Sequence, residues 1–299
     1  MPEPMMSHES ASSLPITHLD AGPSTPRDAA AVTVVVMGPE GARERDDWIV
    51  AEEPLEIRAG GPGQKATSVA VTMRTPGADP ELAVGFLYTE GLIASCAEVV
   101  TAKPLNERPG RAACNIIEVA LSRPFDGSAL KRNFFATSSC GVCGKATLEQ
   151  VAVRCAPVEA GPVIGRSVLI SLPEVLRGAQ TVFDRTGGLH AAGLFDADGR
   201  LLALREDVGR HNAVDKLVGR ALLDGLLPLS GRILLVSGRT SFEILQKAAV
   251  AGVPIVCAVS APSTLAVSVA ERLGITLVGF LRGASFNVYT HADRIDPRR

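Results

Sequence analysis

Between Ile233 and Phe280 three short apolar runs, Ile233 to Val236, Ile255 to Val259 and Thr276 to Phe280, alternate with two helical segments. Each helix carries its own punctuation. Thr240 and Glu243 make a capping-box pair ahead of the first, which stops at Gly252 before Pro254. Ser263 or Thr264 opens the second and Gly274 closes it. This is a βαβαβ pattern, and right-handed crossovers make its strands parallel. The fold class that follows is α/β, with the carboxyl ends of all three strands on one edge of a sheet.

That edge carries Ser237-Gly238-Arg239-Thr240, Ser260-Ala261-Pro262-Ser263 and Arg282-Gly283-Ala284-Ser285. Ligands of open α/β sheets sit beyond the carboxyl ends of the strands. Small residues, hydroxyls, free helix N–H groups and two arginines there suit a phosphate-bearing ligand. For any one of these loops helix caps and turns are the better account; three on one edge with two arginines bring the ligand site level with it.

Upstream, residues 1–30 are rich in Pro, Ser and Ala, lack periodicity, and are expected to form a disordered tail. A β-rich N-terminal part spans 31–135, with strand-like runs at Val32 to Val36, Trp48 to Ala51, Leu55 to Arg58, Ser68 to Met73, Glu98 to Ala102 and Asn115 to Leu121. Asp79-Pro80-Glu81, with the acid as cap, opens a helix through Tyr88. A helix from about Pro173 to Phe183 ends near Gly187-Gly188. Leu189 to Phe195 and Leu201 to Arg205 flank Asp196-Ala197-Asp198-Gly199, a hairpin turn, and a helix runs from near Arg210 to Leu223. A mobile loop is expected at 136–145 between the two parts, with the C-terminal α/β domain over 146–291 and a tail at 292–299.

The loop holds Cys140-Gly141-Val142-Cys143-Gly144-Lys145 after Thr137-Ser138-Ser139. The thiolate is the nucleophile, and a nearby cation or helix N-terminus favours it. Lys145 supplies the first and the helix-like run Ala146 to Val153 the second. Three chemistries share such a pair. A zinc half-site needs two further ligands, usually a second close pair. The remaining cysteines, Cys96, Cys114, Cys155 and Cys257, are isolated in apolar or helical surroundings and suit small core residues. A thioredoxin-type redox pair lacks the Trp and Pro expected around it. A persulfide carrier fits best, because Ser, Gly and Val leave the thiols accessible to a donor and an acceptor.

Composition narrows the setting. Six cysteines in 299 residues do not make a disulfide scaffold, and a close pair in a reducing cytosol is catalytic or metal-binding. No run approaches the ~20 apolar residues of a membrane span, and no basic segment precedes an apolar one at the N-terminus. The expected setting is cytoplasmic, with no membrane partner. A net charge of −2 argues against a nucleic-acid partner.

Glu206-Asp207-Val208-Gly209-Arg210-His211-Asn212 is a second dense polar cluster, joining a strand to a helix. Asp207 or Gly209 can cap that helix, and His211 and Asp215 share a face at i, i+4. The cluster is either a solvated helix start or a ligand site built from Asp207, Arg210 and His211. His190, after Thr186-Gly187-Gly188-Leu189, is expected to be structural, and His8 and His18 fall in the tail.

Taken together, Thr137 to Lys145, Thr186-Gly187-Gly188-Leu189-His190-Ala191-Ala192 and the twelve residues Arg205 to Lys216 resemble the FdhD family of accessory sulfurtransferases for formate dehydrogenase, over about residues 31–291. The resemblance implies a cytidine-deaminase-like α/β fold for the C-terminal domain, a homodimer, and a sulfurtransferase activity. A cysteine desulfurase would load Cys140 with persulfide sulfur, Cys143 releasing or protecting it. The sulfur would pass to the molybdenum or tungsten of the bis(molybdopterin guanine dinucleotide) cofactor serving formate dehydrogenase. It also implies that Phe280-Leu281-Arg282-Gly283-Ala284-Ser285 binds that cofactor, the third of the edge loops reached above from strand polarity. Ser237, Gly238 and Arg239 then adjoin it. Deaminase chemistry is set aside: His190-Ala191-Ala192 has alanine where a zinc deaminase needs glutamate, and the CxxC lies upstream. A chaperone that binds the guanine dinucleotide cofactor without carrying sulfur remains the alternative.

Overall fold

The computed structural model describes residues 27–105, 115–126 and 156–299. In chain order these form β1 (Ala29–Gly38), β2 (Gly41–Val50), β3 (Glu53–Gly60), β4 (Thr67–Arg74), α1 (Asp79–Thr89), β5 (Val99–Pro104), β6 (Ile116–Leu121) and β7 (Ile164–Gly165). There follow α2 (Arg166–Ala179), α3 (Thr181–Thr186), β8 (His190–Phe195), β9 (Leu201–Asp207), α4 (Arg210–Leu223), β10 (Ile233–Val236), α5 (Phe242–Val250), β11 (Ile255–Ala258), α6 (Thr264–Leu273), β12 (Thr276–Arg282), β13 (Ser285–Thr290) and β14 (Ile295–Asp296). The protein is mixed α/β with several sheets.

The largest sheet has the order β13-β12-β11-β10-β8-β9. Its centre, β10-β11-β12, is parallel, with Ile233 opposite Ile255 and Ile255 opposite Thr276. The β8–β9 hairpin and β13 add antiparallel strands on either side. Strands buried on both faces are apolar at every position rather than at alternate ones, which is why β10 reads Ile-Leu-Leu-Val. Leu234 and Val236 pack with α4, α5 and α6, whereas Ile233 and Leu235 pack with Leu169, Leu172 and Leu176 of α2 on the other face.

A second sheet, β4-β3-β6-β5, is covered by α1. Leu82, Ala83, Val84 and Leu87 meet Leu55, Ile57, Ile117 and Val119 in its core. The opposite side of α1 lies on α4, so the helix is apolar around most of its circumference. At the crossing Gly85 and Gly219 face each other's helices so closely that a Cβ on either would lie 1.9 Å from a backbone oxygen of the other. The β-rich and α/β parts therefore meet through two helices in backbone contact. β1 and β2 pair only with each other. Their base is held where Ala51 N–H donates to the Asp28 carbonyl at 2.9 Å and the Arg185 guanidinium lies 5.0 Å from the Trp48 ring centre.

Several local expectations need correction. Pro173 lies inside α2 rather than at its start: Leu169, Leu172 and Leu176 make a buried stripe that outweighs the lost hydrogen bond. The acid of Asp79 is not a cap. Ala78, at φ 54°, holds that position, and the Asp79 carboxylate is taken by Arg74, whose Nε and Nη2 donate to its two oxygens at 3.0 and 2.9 Å. Thr240 and Glu243 make no capping box, since the cap of α5 is Ser241. Residues 292–299 are packed rather than a tail: β14 pairs with β7, and Ser167 N–H donates to the Arg299 carbonyl at 2.9 Å. Asp28 and Ala29, expected in the disordered tail, are buried. β12 runs two residues past Phe280, so Arg282 to Ser285 is the tip of an antiparallel hairpin and not an open strand-end loop.

Candidate functional site

The segment Arg205 to Lys216 sits where β9 hands over to α4, and its polar side chains can be traced one by one. Arg205 donates to both carboxylate oxygens of Glu81 on α1, at 2.6 and 3.0 Å. Glu206 accepts from the N–H groups of Val182 and Phe183 at 3.1 and 2.9 Å, capping α3 from outside the helix. Burial pushes the Glu206 carboxyl up, against the opposing pull of those amides. Asp207, fully buried, takes Gly209 N–H at 2.8 Å, Asn212 Nδ2 at 3.0 Å, Thr75 N–H at 3.2 Å and Lys216 Nζ at 2.7 Å. Four donors fill the acceptor capacity of a carboxylate.

Asn212 also donates to the Met73 carbonyl at 2.7 Å, and Lys216 to the Thr75 carbonyl at 2.9 Å. Asp215 turns inward to Lys247 at 2.9 Å and Thr89 at 2.7 Å. Burial opposes the charge on Lys247, but Asp215 and Glu90 beside it raise its pKa. His211 Nε2 lies 3.1 Å from Ser241 Oγ and 3.0 Å from Glu243 Oε2, and Ser241 Oγ donates to the same Glu243 oxygen at 2.9 Å. The His211 hydrogen bond holds the Glu243 carboxyl below its ordinary range. The amino ends of α4 and α5 are thus tied together.

The edge loops form a continuous row. Thr240 N–H donates to the Ala261 carbonyl at 3.2 Å, Ser263 N–H to the Thr240 carbonyl at 3.0 Å, and Phe280 N–H to the Ser260 carbonyl at 3.1 Å. Gly238 is buried at the end of this row. A Cβ there would lie 3.2 Å from His190 Nδ1 and 3.5 Å from Arg210 Cδ, so only glycine leaves that gap. Burial lowers the His190 pKa, helped by Arg210 and His211 and opposed by Asp207. Among the described residues Arg210 makes no hydrogen bond, and its Nε is shielded from solvent without a partner.

With this edge in view, comparison with known proteins is decisive: a family model described as the FdhD/NarQ family matches residues 50–296. The chain belongs to the FdhD/NarQ family. A relative from Mycolicibacterium paratuberculosis, named sulfur carrier protein FdhD, is 52% identical over 257 residues, covering 84% of this chain and 93% of its own length. One of the same name from Thermoplasma volcanium is 47% identical over 255 residues, covering 84% and 90%. A crystal structure from Desulfotalea psychrophila, described as a candidate formate dehydrogenase accessory protein, superposes with a TM-score of 0.69 at 26% identity, over 90% of this chain and 99% of that one.

Within this FdhD/NarQ chain the structure gathers His190, Gly238, Arg210, His211, Ser241 and Glu243 at the junction of β8, α4 and the β10 edge. It keeps others away from any ligand. Asp207 is engaged on every side, and Leu281 is fully buried in the core beneath α2. Ser237 extends the sheet, its Oγ accepting from Ala191 N–H at 2.9 Å. Arg239 is exposed. At the β12–β13 tip Arg282, Gly283, Ala284 and Ser285 are exposed, Arg282 lies 5.6 Å from the Phe280 ring centre, and Arg166 donates to the Ala284 carbonyl at 3.1 Å. Cys140 and Cys143, with Cys114 and Cys155, lie outside the described residues. Cys257 is buried, which pushes its thiol pKa far up, and Cys96 is half-buried. The sequence expectation for His190 is a structural role, and the structure sets it beside Gly238 at this junction. The signal for its place was available: a hairpin centred on Asp196 to Gly199 sets His190 opposite Asp207.

Proposed function

We propose that the chain is a sulfur carrier for formate dehydrogenase maturation, acting as a sulfurtransferase in the cytoplasm. The observation that carries this is the half-identity match, over most of both chains, to proteins named sulfur carrier protein FdhD, in a chain that holds Cys140 and Cys143 in a CxxC. The Cys140 thiolate attacks the outer sulfur of a cysteine desulfurase persulfide; the new S–S bond forms at Cys140 and the desulfurase thiolate leaves. The carried sulfur goes to the molybdenum bis(molybdopterin guanine dinucleotide) cofactor as acceptor substrate: the Cys143 thiolate attacks the Cys140 sulfur, the Cys140–Cys143 disulfide forms, the outer sulfur leaves as hydrosulfide for the acceptor, and a cellular dithiol reductant restores the pair. The edge formed by Gly238, Arg210, His211 and the Phe280 to Ser285 hairpin supports the binding of that substrate, through its polar surface and the unpartnered Arg210 Nε.

The sheet order β9-β8-β10-β11-β12 with β8 antiparallel to β10 supports the cytidine-deaminase-like arrangement of the C-terminal domain. Exposed Val35, Met37, Val71 and Met73 support pairing of two copies. No helix among the described residues is long and apolar enough to cross a membrane.

Intact mass after incubation with a desulfurase and cysteine is the test. A gain of one thiol-reducible sulfur in the wild type, absent in Cys140→Ala, is expected. No gain, with a control acceptor labelled normally, moves the assignment to the second reading, a chaperone that holds the cofactor without carrying sulfur. The polar edge, formed by described residues of the α/β part, favours keeping that reading in the test.

A further inference from the structure

An edge strand exposes a row of unpaired N–H and C=O groups, and folded proteins blunt such edges with charge, proline or bulges. The longer edge strands of this protein follow that rule with one exception. β4 ends in Arg74, β5 in Lys103-Pro104 and β9 in Arg205-Glu206-Asp207, and register shifts interrupt the pairing of β4, β5, β9 and β13 with their neighbours. β2 carries Arg43, Glu44, Arg45, Asp46 and Asp47 in succession. β1 has none of these devices. Its ten residues hold no charge and no proline, and it runs along β2 without a register shift. Among the described residues β2 is its only strand neighbour. A lone two-stranded ribbon is marginal in water, and this one leaves Val35 57% and Met37 79% exposed.

The ladder shows which backbone groups are open. Ala51 N–H donates to the Asp28 carbonyl at 2.9 Å, in the same register that pairs Ala30 with Ile49. The even-numbered residues of β1 therefore bond to β2, and Ala31, Thr33, Val35 and Met37 direct their N–H and C=O groups to the free edge. Symmetry then separates the two edges of the ribbon. A two-fold axis between antiparallel copies of one strand sets a residue opposite its own mate. Near the middle of β2 that residue is Glu44, Arg45 or Asp46, each meeting an identical charge, which is destabilising. Along β1 every centre is uncharged.

We propose that β1 is the interaction surface for a second copy of this chain, pairing antiparallel with that copy's β1 about Val34 to make a four-stranded sheet β2-β1-β1-β2. This centre uses the exposed length from Ala30 to Gly38 and leaves out the buried Ala29. It sets Thr33 against Val35 and Ala31 against Met37, so the four residues with open backbone groups bond to one another across the axis. Val32, Val34 and Val36 of both copies line one face, where cross-strand β-branched pairs stabilise a sheet. Each ribbon's base faces the other's tip, so the two bodies stand at opposite ends of the sheet. The inference rests on the two-copy reading above and names the surface that joins the copies.

Analytical sedimentation of the full chain at micromolar concentration tests it. The wild type is expected at the mass of two chains and Val34→Lys, which sets two like charges face to face, at the mass of one. Glu44→Lys, a charge change on the β2 edge, is expected to stay at two. Val34→Lys acts on the ribbon as well as on the pairing, so Val34→Cys supplies the second measurement. In a pair of this kind the Cα atoms lie about 4.5 Å apart, within reach of a disulfide. Mild oxidation should therefore join two copies at position 34, identified by peptide mass among any bonds of the native cysteines. Val36→Cys, about 13–14 Å from its mate along the strand, should not cross-link. A two-chain mass that persists in Val34→Lys, with no disulfide at position 34 in Val34→Cys, overturns the β1 surface and leaves the two-copy reading standing. A cross-link in Val36→Cys in place of Val34→Cys overturns the Val34 centre. A one-chain mass for the wild type overturns both the surface and the two-copy reading.

Discussion

Gly219→Ala should be among the most destabilising single-methyl additions available in this protein, against the ordinary helix preference. A Cβ built on Gly219 lies 1.9 Å from the Glu81 carbonyl oxygen and 2.8 Å from the Gly85 nitrogen. Those are backbone atoms and cannot swing aside. To reach the ~3.3 Å of a close C–H···O contact, α1 and α4 must part by about 1.4 Å. Parting them stretches the Thr89–Asp215 bond, now 2.7 Å, and the Arg220–Glu81 ion pair, now 3.9 Å. Hydrogen bonds to charged groups contribute roughly 1.5–3 kcal/mol each, and overpacking alone costs about 1–3 kcal/mol. The helix gains about 1 kcal/mol from replacing glycine by alanine. The net expectation is a loss of about 3 kcal/mol, near 1 M in urea midpoint for a slope of about 3 kcal/mol/M. Gly178→Ala is the matched control: Gly178 lies in α2 with nothing within 4 Å of its Cβ position, so the same change there should be neutral or stabilising. Urea unfolding of both variants beside the wild type decides. A Gly219→Ala protein as stable as the wild type would refute the backbone contact between the two helices.

Asp207→Asn removes the buried partner of Lys216, and breaking such a pair costs about 3–5 kcal/mol; a urea midpoint equal to the wild type would show that the Asp207 charge is not needed. His190 adds a pH dependence. Burial, Arg210 and His211 hold its pKa down, so below about pH 6.5 the unfolded chain takes up a proton that the folded one refuses until its lower pKa is reached. Stability from this residue is therefore complete above the unfolded value and falls as pH falls through the folded one. Unfolding at about pH 7.5 and about pH 5.5 should show a smaller acid loss in His190→Gln, and an undiminished loss would contradict the burial argument. Gly238→Ala, placing a methyl 3.2 Å from His190 Nδ1 and 3.5 Å from Arg210 Cδ, should weaken guanine-nucleotide binding to this edge in a titration with GDP while leaving Cys140 loading intact; reduced loading instead would show that the edge and the cysteines are not separable.

The parallel centre was legible because its strands are buried on both faces and its helices end in strong punctuation: the expected Ile233 to Val236 run is β10, and the helix from Arg210 to Leu223 is α4. Expectation failed where a side chain had a tertiary alternative to its local role. Asp79 next to Pro80 has the pattern of a cap until Arg74 is brought alongside it. Ser241 rather than Thr240 caps α5, where His211 and Glu243 converge. Pro173 signals a helix start only if the leucine stripe around it is ignored. The β12–β13 hairpin was hidden by its own irregularity, since Phe280 sits at φ 53° and a register shift separates Gly279 from Arg282.

The candidate site was legible in its location but not in its division of labour. Five polar or charged residues around a glycine suggest a ligand, yet most of them hold β9, α4, α1 and α3 to one another. Asp207 belongs to that framework, as does Glu206 at the start of α3. What a ligand can use is the residue the framework leaves unsatisfied, and finding it requires the partners of all the others. The same reasoning divides the β12–β13 tip. Leu281 points into the core, so within Phe280 to Ser285 only the half-buried Phe280, the exposed Arg282 beside it and the turn residues are open to a ligand. Arg210 at one end of the edge and Arg282 at the other then offer guanidinium groups to it, as does the exposed Arg239. They differ in kind: Arg282, exposed beside an aromatic ring, interacts with anions under full solvent screening, whereas the buried Nε of Arg210 gains most from an anion that displaces no water from it. Affinity for a phosphorylated ligand should therefore fall further on losing Arg210 than on losing Arg282.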